Sequence, residues 1–567
     1  MGLSTKLGLK KYFSNLFVLL SCLLFEDCKQ LNRVMSSEHE ETKDEKVLVD
    51  SSDNFTDVDS IIVSIGEYGK SQIILTAMFC LIMIPPVYQT LSMAFVAYNP
   101  SWRCSELGKV TGQCTKDGTF SSGEDGYQAR CEMNRSAWEF TKSKKFSIVT
   151  EFDLVCEKKE LAVAANSAMY LGWAVGAIVL GWVSDRYGRK IVLFPSYFVV
   201  ILASFAAGYS PNFGLFFFLR GMIGFFLGGV ILTLFIVCAE LVGPKQRALA
   251  STLVWFAFTT SLCMLGLQAY LLPDWRLLLK VTSMPYVILI LLWKFIPESV
   301  RWLHVKGRND EAEKILRKVA KVNKNAYPAS KLCEISQEKS SGSFRNLFST
   351  KKITMLTLSM CFIWFVNGMV YYGISLASDD LGGNMYRDFV LTSLVEIPGN
   401  ILVIVLSNRY GRKKATTGSM FITAFSLLVV AIIPGRTENH AYNWSRVSFG
   451  MLGKLFITTA FDSVYILAAE LYPTVVRSQA MALLSVVSRV GAASAPWVAQ
   501  GLRVLHFTVP FYFMGVLTLV AALMCLTLTE TKGKPTAETF CSDTNNSVTL
   551  EVKTESESSL DKENLVN

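Results

Sequence analysis

The chain alternates long apolar runs with short charged segments, and twelve of the runs are close to the length of a membrane-spanning helix. Such a helix needs about 20 mostly apolar residues. Six runs precede and six follow a polar gap, which predicts an all-α polytopic membrane protein with two six-helix bundles. The predicted runs are 71–97, 161–182, 190–208, 213–237, 249–271, 276–297, 353–376, 388–407, 415–433, 447–468, 481–501 and 509–528.

A charged turn between two apolar runs occurs once in each half of the chain. Asp185-Arg-Tyr-Gly-Arg-Lys in the first half matches Asn408-Arg-Tyr-Gly-Arg-Lys in the second. Further along, Ala239-Glu-Leu with Arg247 matches Ala469-Glu-Leu with Arg477. The halves therefore repeat in the same direction, and a parallel repeat in an apolar chain is typical of one class of transporter folds.

The composition agrees with a membrane protein. The chain is 51% hydrophobic with a mean hydropathy of +0.36, and its net charge is +9. Lys and Arg cluster in short segments between the apolar runs, as in cytoplasmic loops, so the positive charge does not predict a nucleic-acid partner. This pattern predicts a multi-pass protein of the plasma membrane with both termini in the cytoplasm and the lipid bilayer as its surroundings.

The polar segments divide the chain into five regions. Tyr12 to Phe25 is apolar but too short to span a bilayer, and Met35 is an alternative start. A helical charge pattern begins at Asn309 in the central gap. The predicted regions are an N-terminal extension (1–60), a first bundle (61–297) with an outer loop (98–160), cytoplasmic linker helices (298–352), a second bundle (353–530) and a disordered tail (531–567).

The outer loop carries the candidate covalent modifications. It contains Cys104, Cys114, Cys131 and Cys156, which allow three pairings, and an oxidising compartment favours two disulfides. Asn134 is a glycosylation candidate in this loop, and Asn443 is a second one, predicted to lie in another outward loop. The four His show no ligand spacing, and the sequence predicts neither a metal site nor a cofactor.

The ordered motifs resemble a known family. Twelve spans with the repeated Asp185-Arg-Tyr-Gly-Arg-Lys loop are similar to the major facilitator superfamily. Thr150-Glu-Phe-Asp-Leu-Val-Cys156 and Pro297-Glu-Ser-Val-Arg-Trp-Leu303 resemble its organic cation, anion and carnitine branch, as do Leu381-Gly-Gly-Asn384 and Ala469-Glu-Leu-Tyr-Pro-Thr-Val-Val-Arg477. The resemblance covers 61–532. It departs in the N-terminal extension, in four rather than six loop Cys, and in Asn408, where Asp is usual.

The repeated charged residues form two predicted latches. In the first, Asp185 caps a neighbouring helix while Arg186 and Arg189 pair with Glu240, and in the second Glu470 pairs with Arg409 and Arg412. Arg247 and Arg477 belong to the same motifs. Asn408 carries no charge, so the second latch is predicted to be weaker. The alternative is that these residues are only positive-inside anchors.

Charges inside the apolar runs indicate the functional centre, because an ionisable group at bilayer depth is costly. Glu396, Asp462 and Arg489 lie roughly 12 to 20 Å from the cytoplasmic ends of their helices at about 1.5 Å per residue. Pro398 and Pro496 nearby predict broken helices lining a cavity. The alternative, which the sequence supports equally well, is that Asp462 and Arg489 form a structural ion pair.

Aromatic residues supply candidate walls for this cavity. Trp364 and Tyr371 are two helical turns apart, and the other candidates are Phe258, Phe461 and Tyr465. The resemblance implies that Trp364, Tyr371 and Glu396 line the substrate cavity. Without it, these aromatics would read as ordinary packing residues.

The resemblance also bears on the substrate. It associates an Arg at position 489 with carriers of anions or zwitterions, and Glu396 with carriers of cations and carnitine. Together these predict alternating-access transport of zwitterions such as carnitine, or of related organic cations. The alternatives are an organic anion transporter and a non-transporting signalling or scaffold protein. The coupling ion, sodium or proton, stays open, and no cluster of His, Asp or Ser predicts an enzyme.

Overall fold

The computed structural model describes residues 55–56, 58–114, 118–121, 126–328, 331–332, 344–382, 384–434 and 440–532. Most of the predicted N-terminal extension, including Met35, and all but the first two residues of the predicted tail lie outside the described residues. The fold below is that of the compact unit Thr56–Asn567.

Twelve helices within the described ranges are long and apolar enough to cross a membrane, which confirms the predicted number. We number them spans 1 to 12 and call spans 1–6 the first half and spans 7–12 the second half. In chain order they are Lys70–Val96, Cys156–Tyr187, Arg189–Ala207, Phe213–Glu240, Leu249–Leu271, Trp275–Lys294, Lys351–Leu376, Met385–Tyr410, Arg412–Ile432, His440–Leu471, Val476–Gly501 and Val509–Leu526.

The shorter elements lie between and beside these spans. The α-helices are Val58–Ser64, Glu106–Val110, Ile148–Glu151, Val300–Val305, Asn309–Asn323 and Asp379–Gly382. The 3₁₀-helices are Tyr127–Cys131, Arg135–Ala137, Cys156–Lys158, Pro244–Gln246, Phe344–Phe348 and Leu502–Val504, and the strands are Phe55–Thr56, Trp102–Cys104, Thr119–Phe120, Trp138–Phe140 and Lys331–Leu332.

Local sequence explains where several spans begin and end. Asn212 accepts a hydrogen bond from the Leu215 amide at 2.9 Å and so caps span 4, and Asn384 caps span 8 through the Arg387 amide at 3.1 Å. Gly188 and Gly411 separate spans 2 and 3 and spans 8 and 9 with φ of 121° and 101°. Only glycine adopts such angles freely, so both repeated turns depend on it.

Span 8 is interrupted beside Glu396, and span 11 changes helix type after Pro496, as the proline positions predicted. Span 8 consists of Met385–Leu394 and Glu396–Tyr410, so that Glu396 begins a new helix. Span 11 is α-helical from Thr474 to Pro496 and then continues as a π-helix, Trp497–Gly501. Pro removes a backbone donor, and a helix interruption of this kind is tolerated where protein surrounds it.

The two halves meet along two helix pairs, span 2 with span 11 and span 5 with span 8. Several contacts between the halves lie towards the end of the bundle that carries the cysteines, which we call the disulfide end. Ser167 donates to the Ala493 carbonyl at 2.6 Å, and the Phe95 and Phe389 rings are 4.8 Å apart. The opposite end, with Gly188 and Gly411, is called the loop-motif end.

Glycines set the distance between spans 2 and 4 within the first half. A Cβ atom on Gly176 would lie 1.8 Å from the Phe225 carbonyl oxygen, and one on Gly224 would lie 1.9 Å from that of Met169. Any side chain at these positions would force the helices apart. Close approach of small residues is a common way to pack helices in a membrane.

The loop at the disulfide end folds around a three-stranded antiparallel sheet. Its central strand, Trp102–Cys104, pairs with Thr119–Phe120 on one side and Trp138–Phe140 on the other. Disulfides join Cys104 to Cys114 and Cys131 to Cys156, which confirms two bridges and selects one of three pairings. Cys156 begins span 2, so the second bridge fixes the sheet region to that helix.

The segment between the halves contains the predicted amphipathic helix, Asn309–Asn323. Its buried residues are Ala312, Leu316, Val319 and Ala320. The last residue, Asn323, accepts from the Ser71 amide at 2.8 Å and donates to the Ile65 carbonyl at 3.0 Å. These bonds attach the helix to the start of span 1.

Candidate functional site

A cavity near the middle of the bundle is lined by both halves. Six of the eight predicted substrate residues line it: Phe258, Tyr371, Glu396, Phe461, Asp462 and Arg489. The other lining residues were not predicted: Met83, Trp173, Ile231, Trp255, Tyr372, Asn400 and Thr458. Acidic, basic and aromatic side chains therefore share one space, as in sites for small organic ligands.

Glu396 is held by side chains from both halves. Its Oε1 accepts from the Tyr371 hydroxyl at 2.9 Å and lies 3.0 Å from Lys454 Nζ. Its Oε2 accepts from Thr259 of span 5 at 3.3 Å. The Glu396 side chain is only 3% exposed. Its charge is thus compensated within the protein.

Lys454 of span 10 supplies that compensation, and sequence reasoning overlooked it. Its ammonium donates to Ser375 Oγ at 2.8 Å and to the Tyr371 carbonyl at 3.1 Å. It also lies 3.3 Å from the centre of the Tyr371 ring. The side chain is 1% exposed. A search of the apolar runs for every charged residue would have found Lys454, since it lies within the predicted run 447–468.

Arg489 of span 11 points across to the first half. Its guanidinium carbon is 3.9 Å from the centre of the Trp173 ring, and Nη1 donates to the Tyr372 hydroxyl at 3.1 Å. A cation over an indole face is favourable, but it leaves the charge uncompensated. In the part of the chain that the structure describes, no carboxylate oxygen lies within 4.0 Å of an Arg489 nitrogen.

Asp462 lines the same cavity about one helical turn from Thr458 in the direction of the loop-motif end. It is partly exposed, and within the described ranges no Lys or Arg nitrogen lies within 4.0 Å of its carboxylate. The predicted alternative of an Asp462–Arg489 ion pair is therefore wrong. The cavity instead contains an acid and a base that are not paired with each other.

Some of the predicted aromatic residues line the cavity, and others pack behind those that do. Tyr371 and Phe461 stack with ring centres 5.8 Å apart, and both line the cavity together with Phe258. Trp364 and Tyr465 are not lining residues, although their rings are 4.2 Å apart and both contact Phe461. They lie behind the wall and hold Phe461, so their predicted contact with substrate is not supported by the geometry.

The first predicted latch contains one of its two expected pairs, Arg189 with Glu240, but not the other. Arg189 pairs with Asp185 and lies 3.8 Å from Glu240. Arg186 is exposed and lies 5.6 Å from the Trp182 ring, because the side chain extends back along its own helix. Its predicted pairing with Glu240 is therefore wrong within the described residues.

The carboxylate that caps span 3 is Glu298, not Asp185. Glu298 accepts from the amides of Arg189 at 2.9 Å, Lys190 at 3.2 Å and Ser299 at 2.9 Å. Amides at a helix start have no partner in the helix, and a carboxylate there also meets the positive end of the helix dipole. The linker segment after span 6 is thereby attached to the repeated turn.

The second predicted latch repeats this arrangement. Arg412 pairs with Glu470 at 3.0 Å, as predicted, and Thr531 donates to the other oxygen of Glu470 at 2.5 Å. Arg409 is exposed with its guanidinium 5.6 Å from the Tyr410 ring, so its predicted pairing with Glu470 is wrong within the described residues. The Arg–Glu distance is shorter than in the first half, which does not fit a weaker second latch.

Glu530 caps span 9 as Glu298 caps span 3. It accepts from the amides of Arg412 at 2.9 Å, Lys413 at 3.3 Å and Lys414 at 3.3 Å. Burial raises the pKa of the Glu530 carboxyl, but hydrogen bonds from backbone amides, that of Lys413 among them, outweigh burial and leave the pKa below its usual value.

The remaining latch residues, Arg247 and Arg477, make contacts at the loop-motif end. Arg247 pairs with Asp59 at 2.7 Å, and Arg301 pairs with the same carboxylate. Arg477 donates to the Tyr472 carbonyl at 3.4 Å, and Arg247 likewise to that of Val242. Asp59 precedes span 1, so its two pairs connect that segment with the start of the helix that forms span 5 and with the segment that follows span 6.

The two glycosylation candidates have different surroundings. Asn134 is exposed in the loop at the disulfide end, where its amide donates to Gln113 at 3.3 Å. Asn443 is partly buried in the first turn of the helix His440–Leu471, so its predicted loop position is wrong. No group of three or more His, Cys, Asp or Glu in the described residues is arranged to hold a metal ion.

Comparison with known proteins gives consistent matches. Residues 121–539 match the family described as sugar (and other) transporter. The chain is 33% identical over 524 residues to the organic cation transporter-like protein of Drosophila melanogaster, covering 85% of this chain and 91% of the relative. It is 31% identical over 527 residues to the human organic cation/carnitine transporter 2, covering 85% and 93%.

A third relative and a solved structure extend these matches. Rat solute carrier family 22 member 3 is 33% identical over 405 residues, covering 71% of this chain and 72% of the relative. The inward-open xylose transporter XylE of E. coli superposes with a TM-score of 0.58 and 14% identity, covering 82% and 98%. At this identity the structural match shows the fold alone.

Proposed function

Since the chain belongs to the sugar (and other) transporter family of the major facilitator superfamily, and within it to the organic cation and carnitine type of solute carrier family 22, we propose that it carries small zwitterions. Carnitine is the first candidate, because a relative of similar length is named an organic cation/carnitine transporter. The predicted setting is the plasma membrane.

One observation carries the proposal: Arg489 and Asp462 line the same cavity without forming an ion pair with each other. Two uncompensated charges within membrane-spanning helices are costly, and the cost is relieved when partners of opposite sign arrive. A zwitterion brings both partners at once. Its carboxylate lies against Arg489 in this proposal, and its cationic group lies near Asp462.

The side chains that line the cavity are suited to bind a zwitterion. Arg489 is oriented by Trp173 and Tyr372, which contact its guanidinium without using up its charge. Tyr371 and Phe461 provide stacked ring faces beside Asp462, and ring faces attract quaternary ammonium groups. Glu396, already paired with Lys454, holds the Tyr371 hydroxyl at this wall rather than making a direct contact with the cationic group.

Alternating access follows from the division into two halves. Ser167 with Ala493, and Phe95 with Phe389, join the halves towards the disulfide end and must separate for substrate to enter from there. The ion pairs at the loop-motif end join groups of the same half and the segment after it, so each half can move as a unit. The disulfide end is outside in this proposal and both termini are cytoplasmic.

The test compares three charge variants in counterflow of radiolabelled carnitine and of a simple quaternary ammonium. Arg489→Ala reduces carnitine uptake at least about tenfold, which corresponds to about 1.4 kcal/mol, while ammonium uptake is retained. Asp462→Asn reduces uptake of both. Arg489→Lys is the matched control: it keeps the charge and restores part of the carnitine uptake. Surface expression is measured beside every rate.

Three results would contradict the proposal. Normal carnitine uptake in the double variant Arg489→Gln, Asp462→Asn would show that neither residue contacts the substrate. Uptake of a dicarboxylate that exceeds carnitine uptake and increases in Asp462→Asn would favour an organic anion transporter, to which an unpaired Arg489 is also suited. Absence of counterflow for all tested ions would favour a signalling or scaffold protein.

A further inference from the structure

We propose that the side-chain amide of Asn400 binds a hydroxyl group that the substrate carries between its carboxylate and its cationic group. A hydroxylated zwitterion such as carnitine is then preferred to γ-butyrobetaine, which is the same molecule without the hydroxyl. The inference rests on the proposed transport function and deepens it. It assigns to Asn400, which the sequence did not single out, the role of a specificity-determining residue in the cavity.

Asn400 is a polar residue of the cavity wall whose amide is not used by the described protein. It lines the cavity and is 7% exposed. In the part of the chain that the structure describes, its amide forms no hydrogen bond. The lining hydroxyls of Tyr371, Tyr372 and Thr458, in contrast, are all hydrogen-bonded to protein groups. A buried amide must be hydrogen-bonded to water or to a ligand, so Asn400 is available to a substrate.

Contacts between spans 8 and 10 fix the depth of Asn400 in the bundle. Glu396 Oε1 of span 8 lies 3.0 Å from Lys454 Nζ of span 10. About one helical turn further along both helices, Thr459 donates to the carbonyl of Gly399, the residue before Asn400, at 3.2 Å. The Asn400 side chain therefore begins about 6 Å beyond Glu396 in the direction of the loop-motif end, at about 1.5 Å per residue.

The two unpaired charges of the cavity lie on either side of Asn400 along the bundle. Arg489 donates to the hydroxyl of Tyr372, the neighbour of the tyrosine that is bonded to Glu396, so its guanidinium lies near the depth of Glu396. Asp462 lies about one turn of span 10 beyond the depth of Asn400. A zwitterion that reaches from Arg489 to Asp462 therefore passes Asn400 with its middle.

A hydroxyl at the middle of the ligand matches the chemistry of this amide. Asn has two N–H donors and a carbonyl acceptor, so it can bind a hydroxyl in either orientation. γ-Butyrobetaine has the same two charges but places a methylene group against the amide, which loses its hydrogen bond when the ligand displaces water. We therefore expect carnitine to be preferred by at least about fivefold, in line with one neutral hydrogen bond.

The experiment measures counterflow of radiolabelled carnitine and of radiolabelled γ-butyrobetaine in proteoliposomes that contain the full chain. The readout is the ratio of the two kcat/KM values, which is independent of the amount of protein. Asn400→Leu, which keeps the size and removes the amide, should bring the ratio to within about twofold of one by weakening carnitine alone. Asn400→Gln should keep part of the preference. Thr458→Val is the matched control and should keep it fully, because the Thr458 hydroxyl already donates to the Lys454 carbonyl.

A second measurement does not require transport. A ligand that binds the folded protein raises its unfolding temperature, and tighter binding raises it more at equal concentration. Carnitine should therefore stabilise the purified wild type more than γ-butyrobetaine does. The two ligands should stabilise Asn400→Leu equally.

Three results would overturn the inference while leaving the proposed function intact. The first is wild-type transport of both zwitterions without a preference for carnitine. The second is a preference that persists in Asn400→Leu, and the third is an equal loss of both ligands in that variant, which would indicate a structural role only. Absence of counterflow and of stabilisation by either ligand would instead contradict the proposed function, and the inference with it.

Discussion

The two repeated turns share a helix cap and differ in charge. In each half a glutamate from the segment after the sixth helix caps the helix that follows the turn, Glu298 for span 3 and Glu530 for span 9. The first turn also carries Asp185, which pairs with Arg189, whereas Asn408 occupies the matching place beside Arg412.

The arginine that follows the turn has a different number of acidic partners in the two halves. Arg189 divides its charge between Asp185 and Glu240, and its nitrogen is 3.8 Å from Glu240. Arg412 pairs with Glu470 at 3.0 Å. The half without the aspartate thus has the shorter Arg–Glu contact. The helix cap is the structural element that both turns share, and the charges behind the cap are what distinguish them.

Removal of the caps should give the largest effect. Glu298→Ala and Glu530→Ala each leave several helix-start amides without a partner, and we expect each to cost about 1–2 kcal/mol of unfolding free energy. Thermal unfolding of the purified protein measures it, with Glu→Gln at each position as a control that keeps an acceptor oxygen. If one alanine variant were as stable as the wild type, the caps would not be equivalent.

The strengths of the two Arg–Glu pairs come next. A double-mutant cycle on Arg412 and Glu470 should give a coupling of about 1 kcal/mol, and the cycle on Arg189 and Glu240 only a few tenths, because the second contact is longer and shared. Unfolding temperatures of the single and double alanine variants provide both values. A larger coupling for Arg189 and Glu240 would reverse the comparison.

Acid should weaken the second cap through its charge. The pKa of Glu530 is below its usual value of 4.5, so the stability contributed by its ionised form is complete above that value and is lost as the pH falls through the lower folded pKa. The unfolding-temperature difference between wild type and Glu530→Gln should therefore be constant above about pH 5 and shrink below about pH 4. Its full size should correspond to roughly 0.3–1 kcal/mol of unfolding free energy, the usual contribution of a carboxylate at a helix start. A difference that grows on acidification would contradict this sign.

Exchange of the acid between the turns should have the smallest effect on stability. Asp185 is 71% exposed, so its bond to Arg189 contributes only about 0.3–0.5 kcal/mol. Asp185→Asn should nevertheless increase the Arg189–Glu240 coupling, and Asn408→Asp should reduce the Arg412–Glu470 coupling. We expect Asp185→Asn to impair transport more than Asn408→Asp at equal surface expression. Equal transport losses would remove the asymmetry.

The sequence predicted the features that depend on local pattern. The lengths of the apolar runs gave the twelve spans, and Pro398 and Pro496 indicated the interruptions near Glu396 and in span 11. The four clustered cysteines predicted two disulfides but not their pairing, because pairing depends on how the sheet folds. Asn443 was misplaced because a helix can begin with polar residues before its apolar run.

Contacts between distant segments were harder to predict. Trp173 faces Arg489 only because spans 2 and 11 pack together. Lys454 was overlooked although its position inside an apolar run marked it as clearly as Asp462. Arg186 and Arg409 were paired with glutamates from the repeat alone, without regard to the helix face on which they lie, and both are exposed.

Span 2 gives the molecule a mechanical link from one surface to the other. Its α-helix, Lys159–Tyr187, has 29 residues, roughly 43 Å at about 1.5 Å per residue. The Cys131–Cys156 bridge anchors one end to the three-stranded sheet region at the disulfide end, and Gly188 forms the turn at the other. A stiff rod pivoting near its middle moves its two ends in opposite directions. An antibody fragment that binds the three-stranded sheet at the disulfide end should therefore slow transport from a distance, without entering the cavity.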